Sequence, residues 1–402
     1  MAAAEQAAAV VDVPVGVACG DLLRLLGGVS DGRSSQGRDH PAGVVLALAA
    51  AATVAGMKGY TAMAGWVADV PQGVVTDLYL RAGVMPAGRP SRSTIWRVCT
   101  DADAQALDAA IGAWLAGLAA EHPDERGPVD PVAGQAMMQV RLDGKTVRGA
   151  SDAEGNQPHL LAALAGPPDD PGRCVVVAQA EVTGAKTNEP ATARQILGAI
   201  DIDGKTVTAD ALHTVKATAR LIHARGGQFV LPVKQNRQAL FDALDAVAWQ
   251  QVPISHTSVH KGHGRITRRT IQVTPAPPDL PFPHVNQVYL VERYVTDAAG
   301  APMGAVAQLG VASHTTTQAT PADLARYVQG QWAIESLHWI RDTCYREDQS
   351  TVRTRSGPRV LASLRNLAIG ALRLAGRADI TEATRWACRN TTRPFTILGL
   401  TT

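Results

Sequence analysis

The sequence predicts an α/β protein in which a mixed sheet is flanked by helices, follows a small all-helical region and is interrupted by a β-rich insertion. Three patterns carry this prediction. Helical, Ala-rich segments fill residues 39–122, and short apolar strands alternate with helices over 132–251. A Thr-, Val- and Pro-rich stretch occupies 252–312, and helical patterns return over 313–402. The change from a helical to a two-residue hydrophobic period marks the start of the predicted sheet.

Composition describes a globular protein rather than a disordered one. The 402 residues include 38 basic and 36 acidic side chains, and 46% are apolar. The five cysteines are scattered and form no CxxC pair, which argues against a disulfide framework or zinc cage and favours a reducing, cytoplasmic location. The longest apolar stretch, 43–56, is shorter than the roughly 20 residues needed to span a bilayer, so we expect a buried helix and no membrane partner.

The N-terminal elements are predicted from composition and capping signals. Residues 1–38 are Ala-rich and then Gly/Ser-rich, and we expect them to be loosely ordered. The segment PSRST at 90–94 provides an N-cap for a helix beginning near Ile95. A last helix carries Leu107, Ile111 and Leu115 and ends before a polar linker at 121–131.

The predicted sheet contains two strands that end in a carboxylate. Met138, Val140 and Leu142 alternate with polar residues in a strand that ends at Asp143. A later short strand, 206–210, ends at Asp210. The remaining predicted elements are strands at 159–165, 174–180 and 228–233 and helices at 191–200, 215–225, 321–345 and 358–375.

A third acid, Glu335, lies in the predicted helix 324–345. At 100° per residue it falls opposite the apolar stripe that contains Leu337 and Ile340, so the helix can pack by that stripe while Glu335 faces elsewhere. Two strand-end aspartates and a helical glutamate offer the oxygen ligands that Mg²⁺ or Mn²⁺ prefers, and two such ions suit phosphoryl transfer. The positions of these three acids do not by themselves identify a metal site, because an Asp at the end of a strand is more often a solvated or turn-capping acid.

The segments around these acids occur in a characteristic order. They are LDGKTVRG (142–149), KTNE (186–189), TADALH (208–213), VKQN (233–236), GHGR (262–265), WAIESLHW (332–339) and RED (346–348). This series resembles the DDE transposases of ISAs-type insertion sequences, the H-repeat-associated group. The helical front, with GRPSRST at 88–94, looks like the N-terminal associated domain of that family. The similarity covers about residues 40–400.

The resemblance implies a ribonuclease-H-like core, with Asp143, Asp210 and Glu335 as its catalytic, metal-binding triad. The two parts of that core would be 132–251 and 313–402, separated by the insertion, and 39–122 would bind DNA. The implied activity is cleavage of the insertion-sequence ends and joining of the 3′-hydroxyl to target DNA. Two Mg²⁺ or Mn²⁺ ions, double-stranded DNA, a homodimer on DNA and association with the nucleoid are implied as well.

Two departures from the family pattern leave alternatives open. The family usually places an Arg and a His before its Trp-x-Ile-Glu unit, where this chain has Gln329 and Gln331. Losing a cation beside the scissile phosphate would remove charge stabilisation. The family also often places a Glu in the stretch after Gly-His-Gly-Arg, where this chain has Ile266, Thr267 and Arg268. A catalytically inactive DNA-binding remnant, or a general ribonuclease-H-like nuclease, is therefore the alternative.

Several cations beside the motifs are candidate DNA contacts. Lys145 and Arg148 follow Asp143 closely, and Lys234 and Asn236 follow the strand 228–233 on the rim expected to hold the acids. Each could equally be an ordinary exposed side chain. Residues 254–273 contain no acid, and within them His263 and Arg265 lie in a Gly-punctuated loop that suits either a DNA backbone or a plain basic hairpin.

The helix of Glu335 adds further candidates. Trp332 and Trp339, seven residues apart, could stack on an unpaired base, although core packing is the commoner use of Trp at this spacing. His338 and Asp342 either orient the site or are simply polar surface residues. We count Trp332 and His338 among the DNA-binding candidates.

Overall fold

The computed structural model describes residues 21–36, 38–121, 138–152, 154–184, 188–262 and 264–401. The first 20 residues, most of the predicted linker, Lys186, Thr187 and His263 lie outside these ranges. No helix within them is both long and apolar enough to cross a membrane.

Among the described residues, six α-helices precede the sheet. They are α1 (Leu22–Gly27), α2 (Ala42–Val54), α3 (Tyr60–Ala68), α4 (Gln72–Arg81), α5 (Arg92–Asp101) and α6 (Ala104–Glu121). Every residue of α2 is buried, as its apolar composition predicts. Helix α1 differs from the loosely ordered structure expected for 1–38, because Asp21 caps it and its leucines pack into the core. Residues 1–20 of that segment lie outside the described ranges.

The described residues of the central part of the chain form nine strands and three α-helices. They are β1 (Gln139–Thr146), β2 (His159–Gly166), β3 (Val175–Glu181), α7 (Glu189–Ala199), β4 (Thr206–Thr208), α8 (Lys216–Ala224), β5 (Gln228–Val233), α9 (Gln238–Asp245), β6 (Ile254–Gly262), β7 (Arg265–Pro275), β8 (Gln287–Asp297) and β9 (Pro302–Ala312). Five helices complete the fold. They are α10 (Pro321–Gly330), α11 (Trp332–Thr343), α12 (Gly357–Leu374), α13 (Ile380–Cys388) and α14 (Arg393–Ile397).

The nine strands form one mixed sheet in the order β3-β2-β1-β4-β5-β9-β8-β7-β6. Strands β1, β4 and β5 are parallel, and the other neighbouring pairs are antiparallel. This mixed sheet with flanking helices fits the predicted α/β, ribonuclease-H-like class. Strands β6 to β9 continue the same sheet, since β9 pairs with β5.

Helices cover both faces of the inner strands. On one face, α1 to α6 and α11 to α14 share a single hydrophobic core with residues of β2 and β3. On the other, α7, α8 and α9 pack against β1, β4 and β5. The N-terminal helices are therefore packed directly on the C-terminal ones, and the division of the chain into domains stays a prediction.

Strand β1 is longer than its pattern predicts. We expected it to end at Asp143, but its ladder with β2 continues to the pair of Thr146 and His159. Its parallel pairing with β4 stops earlier, at Arg141 and Thr208. Asp143 consequently lies inside β1, at the point where one edge of the strand loses its partner.

The predicted helix 324–345 is divided into α10 and α11 at Gln331. The carbonyl oxygen of Gly330 accepts a hydrogen bond from Arg141 Nε, at 2.6 Å. The amide of Ile334 bonds the Gln331 carbonyl instead, a tighter turn than the α-helix requires. A buried side chain from β1 thus sets the direction in which α11 starts.

Candidate active site

The parallel register of β1 and β4 brings Asp143 and Asp210 to the same edge of the sheet. Arg141 is paired with Thr208 in the last pair of the β1–β4 ladder, and each acid follows two residues later, Asp143 within β1 and Asp210 just after β4. Neighbouring strands lie about 4.8 Å apart, so both acids follow the same end of this ladder. Asp210 begins a 3₁₀ turn, and its carboxylate accepts a hydrogen bond from the Leu212 amide at 2.9 Å. Its side chain is 56% exposed and open to a ligand.

Glu335 approaches Asp143 from helix α11. The helix buries Ala333, Ile334 and Leu337, which leaves Glu335 on its exposed side. Burial and the negative charge of Asp143 both raise the pKa of the Glu335 carboxyl above its usual value. The Arg293 guanidinium acts in the opposite direction. The charges of Asp143 on β1 and Arg293 on β8 therefore both act on the Glu335 carboxyl.

His338 is part of α11 and faces Asp143. Its Nδ1 is 3.4 Å from the Asp143 carboxylate, and its buried Nε2 has no hydrogen-bond partner among the described residues. Burial lowers the pKa of His338, although the Asp143 carboxylate works against this. A neutral imidazole can then hold the Asp143 side chain in place without adding positive charge beside it.

Gln331 connects α11 to both strands that carry the aspartates. Its amide nitrogen donates to the carbonyl oxygen of Leu142 at 3.0 Å, next to Asp143. Its amide oxygen accepts from the hydroxyl of Thr208 at 2.5 Å, on the strand that leads to Asp210. The residue that departs from the family pattern therefore joins the three elements that bear the acids.

A buried cluster supports the site from the side of β2 and α7. Glu189 Oε1 is 2.6 Å from His159 Nε2, and Glu189 Oε2 is 3.5 Å from His213 Nε2. Burial acts to raise the pKa of the Glu189 carboxyl, but the two imidazoles outweigh it and lower that pKa to about 2. A Cβ at Gly144 would lie 2.5 Å from His159 Nε2, which explains the glycine after Asp143. Sequence reasoning assigned no role to this cluster, although Glu189 and His213 belong to the ordered motifs.

The predicted cations Lys145 and Arg148 have different surroundings. Lys145 is 8% exposed, and its Nζ lies 2.7 Å from Asp342 Oδ2 and 3.4 Å from Asp348 Oδ1. The Arg148 side chain is 77% exposed, and its Nε is 3.9 Å from Asp348 Oδ2. Arg148 is thus available to a ligand, whereas Lys145 is already neutralised within the fold.

The remaining predicted rim residues lie close to the turn after Asp210. Asn236 donates through its side-chain amide to the carbonyl oxygen of Ala211 at 3.0 Å, and Arg237 binds the carbonyl of Thr214 at 2.7 Å. Lys234, which precedes them, is exposed. Arg265 is exposed at the end of the β6–β7 hairpin, away from this rim.

Both tryptophans of α11 are exposed. Trp332 is 53% and Trp339 is 65% exposed, so core packing does not explain either. Arg293 of β8 lies over Trp332, with its guanidinium carbon 5.3 Å from the ring centroid. Sequence reasoning missed Arg293, because neither its strand pattern nor a motif indicated that it would face α11.

The three acids offer oxygen ligands, which fit a hard divalent cation in chemical type. In the described ranges, however, no three His, Cys, Asp or Glu side chains are grouped so that they could hold a metal ion. Asp143, Asp210 and Glu335 come from elements brought to one edge, but they do not form a closed cage of ligands.

Comparisons with known proteins agree with the order of these motifs. A family model described as Transposase DDE domain matches residues 170–370, and one described as DDE_Tnp_1-associated matches residues 23–115. The first model spans Asp210 and Glu335 and begins after Asp143.

The chain is also similar to individual proteins. The chain is 32% identical over 250 residues to a Xanthobacter autotrophicus protein named for the dhlA 3′ region, covering 60% of this chain and 76% of the relative. It is 24% identical over 249 residues to the "H repeat-associated putative transposase YhhI" of Escherichia coli K12, covering 58% and 63%. A solved piggyBac transposase synaptic complex with hairpin DNA has a TM-score of 0.40 and 10% identity, covering 89% of this chain and 72% of that one.

Proposed function

The chain belongs to the DDE transposase family, and from this we propose that it cleaves the ends of an insertion sequence and joins the freed 3′-hydroxyl to target DNA. The observation that carries the proposal is the register of β1 and β4. It sets Asp143 and Asp210 two residues beyond the same rung of the ladder, beside the helix of Glu335. The raised pKa of Glu335, caused in part by Asp143, supports the approach of the third acid.

The three acids are the proposed catalytic and metal-binding residues. Two Mg²⁺ or Mn²⁺ ions held by Asp143, Asp210 and Glu335 would supply the charge that activates a nucleophile and stabilises a leaving oxygen. Like-charged carboxylates repel one another, so a divalent cation would lower the free energy of their approach. We propose that His338 and Gln331 hold Asp143 and α11 while this happens.

DNA contacts are proposed where cations and aromatic rings remain exposed near the acids. Arg148, Lys234 and Trp332 meet this condition, and Asn236 supports the turn after Asp210. Arg265, at the end of the β6–β7 hairpin, would contact more distant phosphates. His263, which lies outside the described residues, is proposed to do the same. Lys145 and His338 are instead proposed to act on DNA through Asp342, Asp348 and Asp143, to which they are bound.

Helix α5 is the proposed DNA-binding element of the N-terminal associated region. Its exposed face carries Arg92, Ser93, Trp96 and Arg97, two neighbouring pairs of residues one helical turn apart. Neither arginine side chain forms a hydrogen bond or ion pair with the described residues, so both charges are available to phosphates. The cap residue Ser91 orients the start of this helix through the Thr94 amide. The strands β6 to β9, continuous with the main sheet, are the proposed insertion.

A homodimer is proposed for the DNA-bound state, because two ends of one element have to be joined at a common target. Light scattering of the purified chain with and without end DNA tests this. A complex that contains one chain for every two ends would contradict it.

Strand-transfer assays with Mg²⁺ or Mn²⁺ test the proposed activity. The donor is a plasmid that carries the coding region with its flanking DNA, and the variants are Asp143→Asn, Asp210→Asn and Glu335→Gln. We expect each to abolish cleavage and joining. Asp69→Asn, an exposed acid outside the site, is the matched control and should behave as wild type.

Two other outcomes would replace the proposal. If wild type binds DNA but, like Asp143→Asn, neither cleaves nor joins it, the chain is an inactive remnant. If cleavage does not depend on inverted repeats at the ends of the element, the chain is a general nuclease. The hydrogen bonds of Gln331 to Leu142 and Thr208 favour an active transposase over an inactive remnant. Although Gln331 replaces the residue usual in the family, it supports the site.

A further inference from the structure

Two arginines of the sheet extension lie directly opposite each other. In the antiparallel ladder of β7 and β8, Arg269 is paired with Arg293. Directly opposed residues of an antiparallel pair project from the same face of the sheet, with Cβ atoms about 5 Å apart. The two guanidinium groups therefore emerge side by side.

The face that carries these arginines continues toward α11. Two residues further along the same ladder, Ile271 is paired with Val291. This pair projects from the same face as the arginines and packs in the hydrophobic cluster beneath α10. Where α10 ends and α11 begins, Arg293 lies over Trp332. Trp332 and Glu335 are three positions apart and share one side of α11. The arginine pair thus faces the side of the helix that bears the third acid.

Within the described ranges, the side chains of Arg269 and Arg293 form no ion pair and donate no hydrogen bond, and the contact of Arg293 with Trp332 leaves its charge in place. The charge of Arg293 acts on the Glu335 carboxylate, but without an ion pair between the two side chains. The neighbouring acid on β8, Glu292, pairs across from Thr270 and projects from the opposite face. Burial and the charge of Arg293 both lower the pKa of Arg269.

Such an arrangement costs free energy until an anion binds. Like charges directly opposite one another destabilise an antiparallel pair of strands. Partial burial of a guanidinium without an anionic partner also costs free energy, because the charge loses hydrating water. Two other cations near the acids are already paired within the fold, Arg341 with Glu347 and Lys145 with Asp342, whereas Arg148 and Lys234 stay exposed. Gln329 and Gln331 carry no charge, and Arg269 and Arg293 add positive charge on the side of α11 that bears Glu335.

We propose that Arg269 and Arg293 bind phosphates of the DNA strand that enters the carboxylate site, and that Trp332 holds Arg293 in position for this contact. This inference rests on the proposed function for its ligand, a nucleic-acid strand. It assigns the two arginines a direct contact with substrate that no sequence motif indicates.

The salt dependence of DNA binding tests the inference without using activity. The probe is a 40-base-pair duplex titrated with protein in Ca²⁺, a hard cation for the carboxylates. Each phosphate contact adds about 0.9 to the slope of log affinity against log salt. We expect Arg269→Gln and Arg293→Gln each to lower the slope by about 1, and the double variant by about 2.

Arg268→Gln is the matched control, because Arg268 is the preceding residue of β7 and projects from the opposite face. It should leave the slope unchanged. Urea unfolding provides a second measurement: removing one of two opposed like charges should leave the midpoint equal to or above that of wild type. A lowered midpoint would indicate a structural role and overturn the inference.

The two failures are distinguishable. If wild type cleaves DNA but the slopes of Arg269→Gln and Arg293→Gln match that of Arg268→Gln, the inference fails and the proposed function stands. If the slopes differ as expected but wild type cleaves nothing in Mg²⁺ or Mn²⁺, the proposed function fails and the phosphate-binding pair stands.

Discussion

Arg141 donates a hydrogen bond through its Nε to the carbonyl oxygen of Gly330 at 2.6 Å. The contact is fully buried and joins β1, two residues before Asp143, to the end of α10, five residues before Glu335. Gln139 strengthens the same junction by donating to the Tyr327 carbonyl at 2.9 Å. The position of the third acid is consequently fixed by β1, the strand that carries the first.

Gly330→Ala should destabilise the fold. A Cβ at Gly330 would lie 2.3 Å from Gln139 Oε1 and 2.7 Å from the Pro168 carbonyl oxygen, so the junction has to move. We expect a loss of about 1–3 kcal/mol in the free energy of unfolding, measured in urea. Gly198→Ala is the matched control, because its Cβ meets nothing within 4 Å and alanine favours helix. Equal unfolding midpoints in the two variants would contradict the prediction.

Gln331→Ala should weaken metal binding as well as stability. It removes the bonds to Leu142 and Thr208 and leaves the start of α11 free to shift relative to the aspartates. Loss of supporting contacts typically lowers metal affinity 10- to 100-fold, so we expect at least about a tenfold drop in a Mn²⁺ titration. Gln329→Ala, two residues earlier and exposed, should bind Mn²⁺ as wild type does. Identical affinities would show that Gln331 does not position the site.

Lys145 and Arg148 should respond differently to loss of charge. Lys145→Met leaves Asp342 without its cation and Asp348 with only the more distant Arg148, so we expect a loss of about 1–2 kcal/mol of stability. Arg148→Gln should leave the unfolding midpoint unchanged and weaken DNA binding several-fold, because the side chain is exposed. Urea unfolding and DNA titration of both variants check this. If Lys145→Met instead weakens DNA binding without lowering the unfolding midpoint, Lys145 contacts DNA directly.

Acid should destabilise the fold through His314. This side chain is buried against Tyr327, and burial lowers its pKa from 6.5 to about 4. The unfolded chain then takes up a proton at higher pH than the folded one, so the stability due to neutral His314 is present above pH 6.5 and is lost as the pH falls toward 4. The full loss is about 3 kcal/mol.

Urea midpoints between pH 6.5 and 4.5 measure this effect. Buried carboxylates such as Glu189, with an ordinary pKa of 4.5 and a lowered one in the fold, lose their contribution only below this window. His314→Gln should show a flatter dependence on pH than wild type, and His260→Gln, at an exposed position of β6, should not. If wild type and His314→Gln have parallel profiles, His314 titrates normally in the fold.

The strands and helices near the acids were largely predictable, because their hydrophobic periods are local. The pattern around Val140 and Leu142 predicted β1, and the stripe of Leu337 predicted which side of α11 is buried. The end of β1 was not predictable, since it depends on β2 continuing the ladder after β4 has stopped. The break at Gln331 was not either, because a buried arginine from another strand causes it.

Residue order and local periodicity were enough to predict the α/β class and the family. They also singled out Asp143, Asp210 and Glu335, whose role stays a proposal. Only the tertiary structure decided which side chains are available. In the fold, Lys145 is neutralised by Asp342, and Trp332 is exposed. Gln331 forms hydrogen bonds to two strands, and Arg269 lies beside Arg293. Burial and charge at a residue depend on partners that are distant in the chain, and no local pattern encodes those partners.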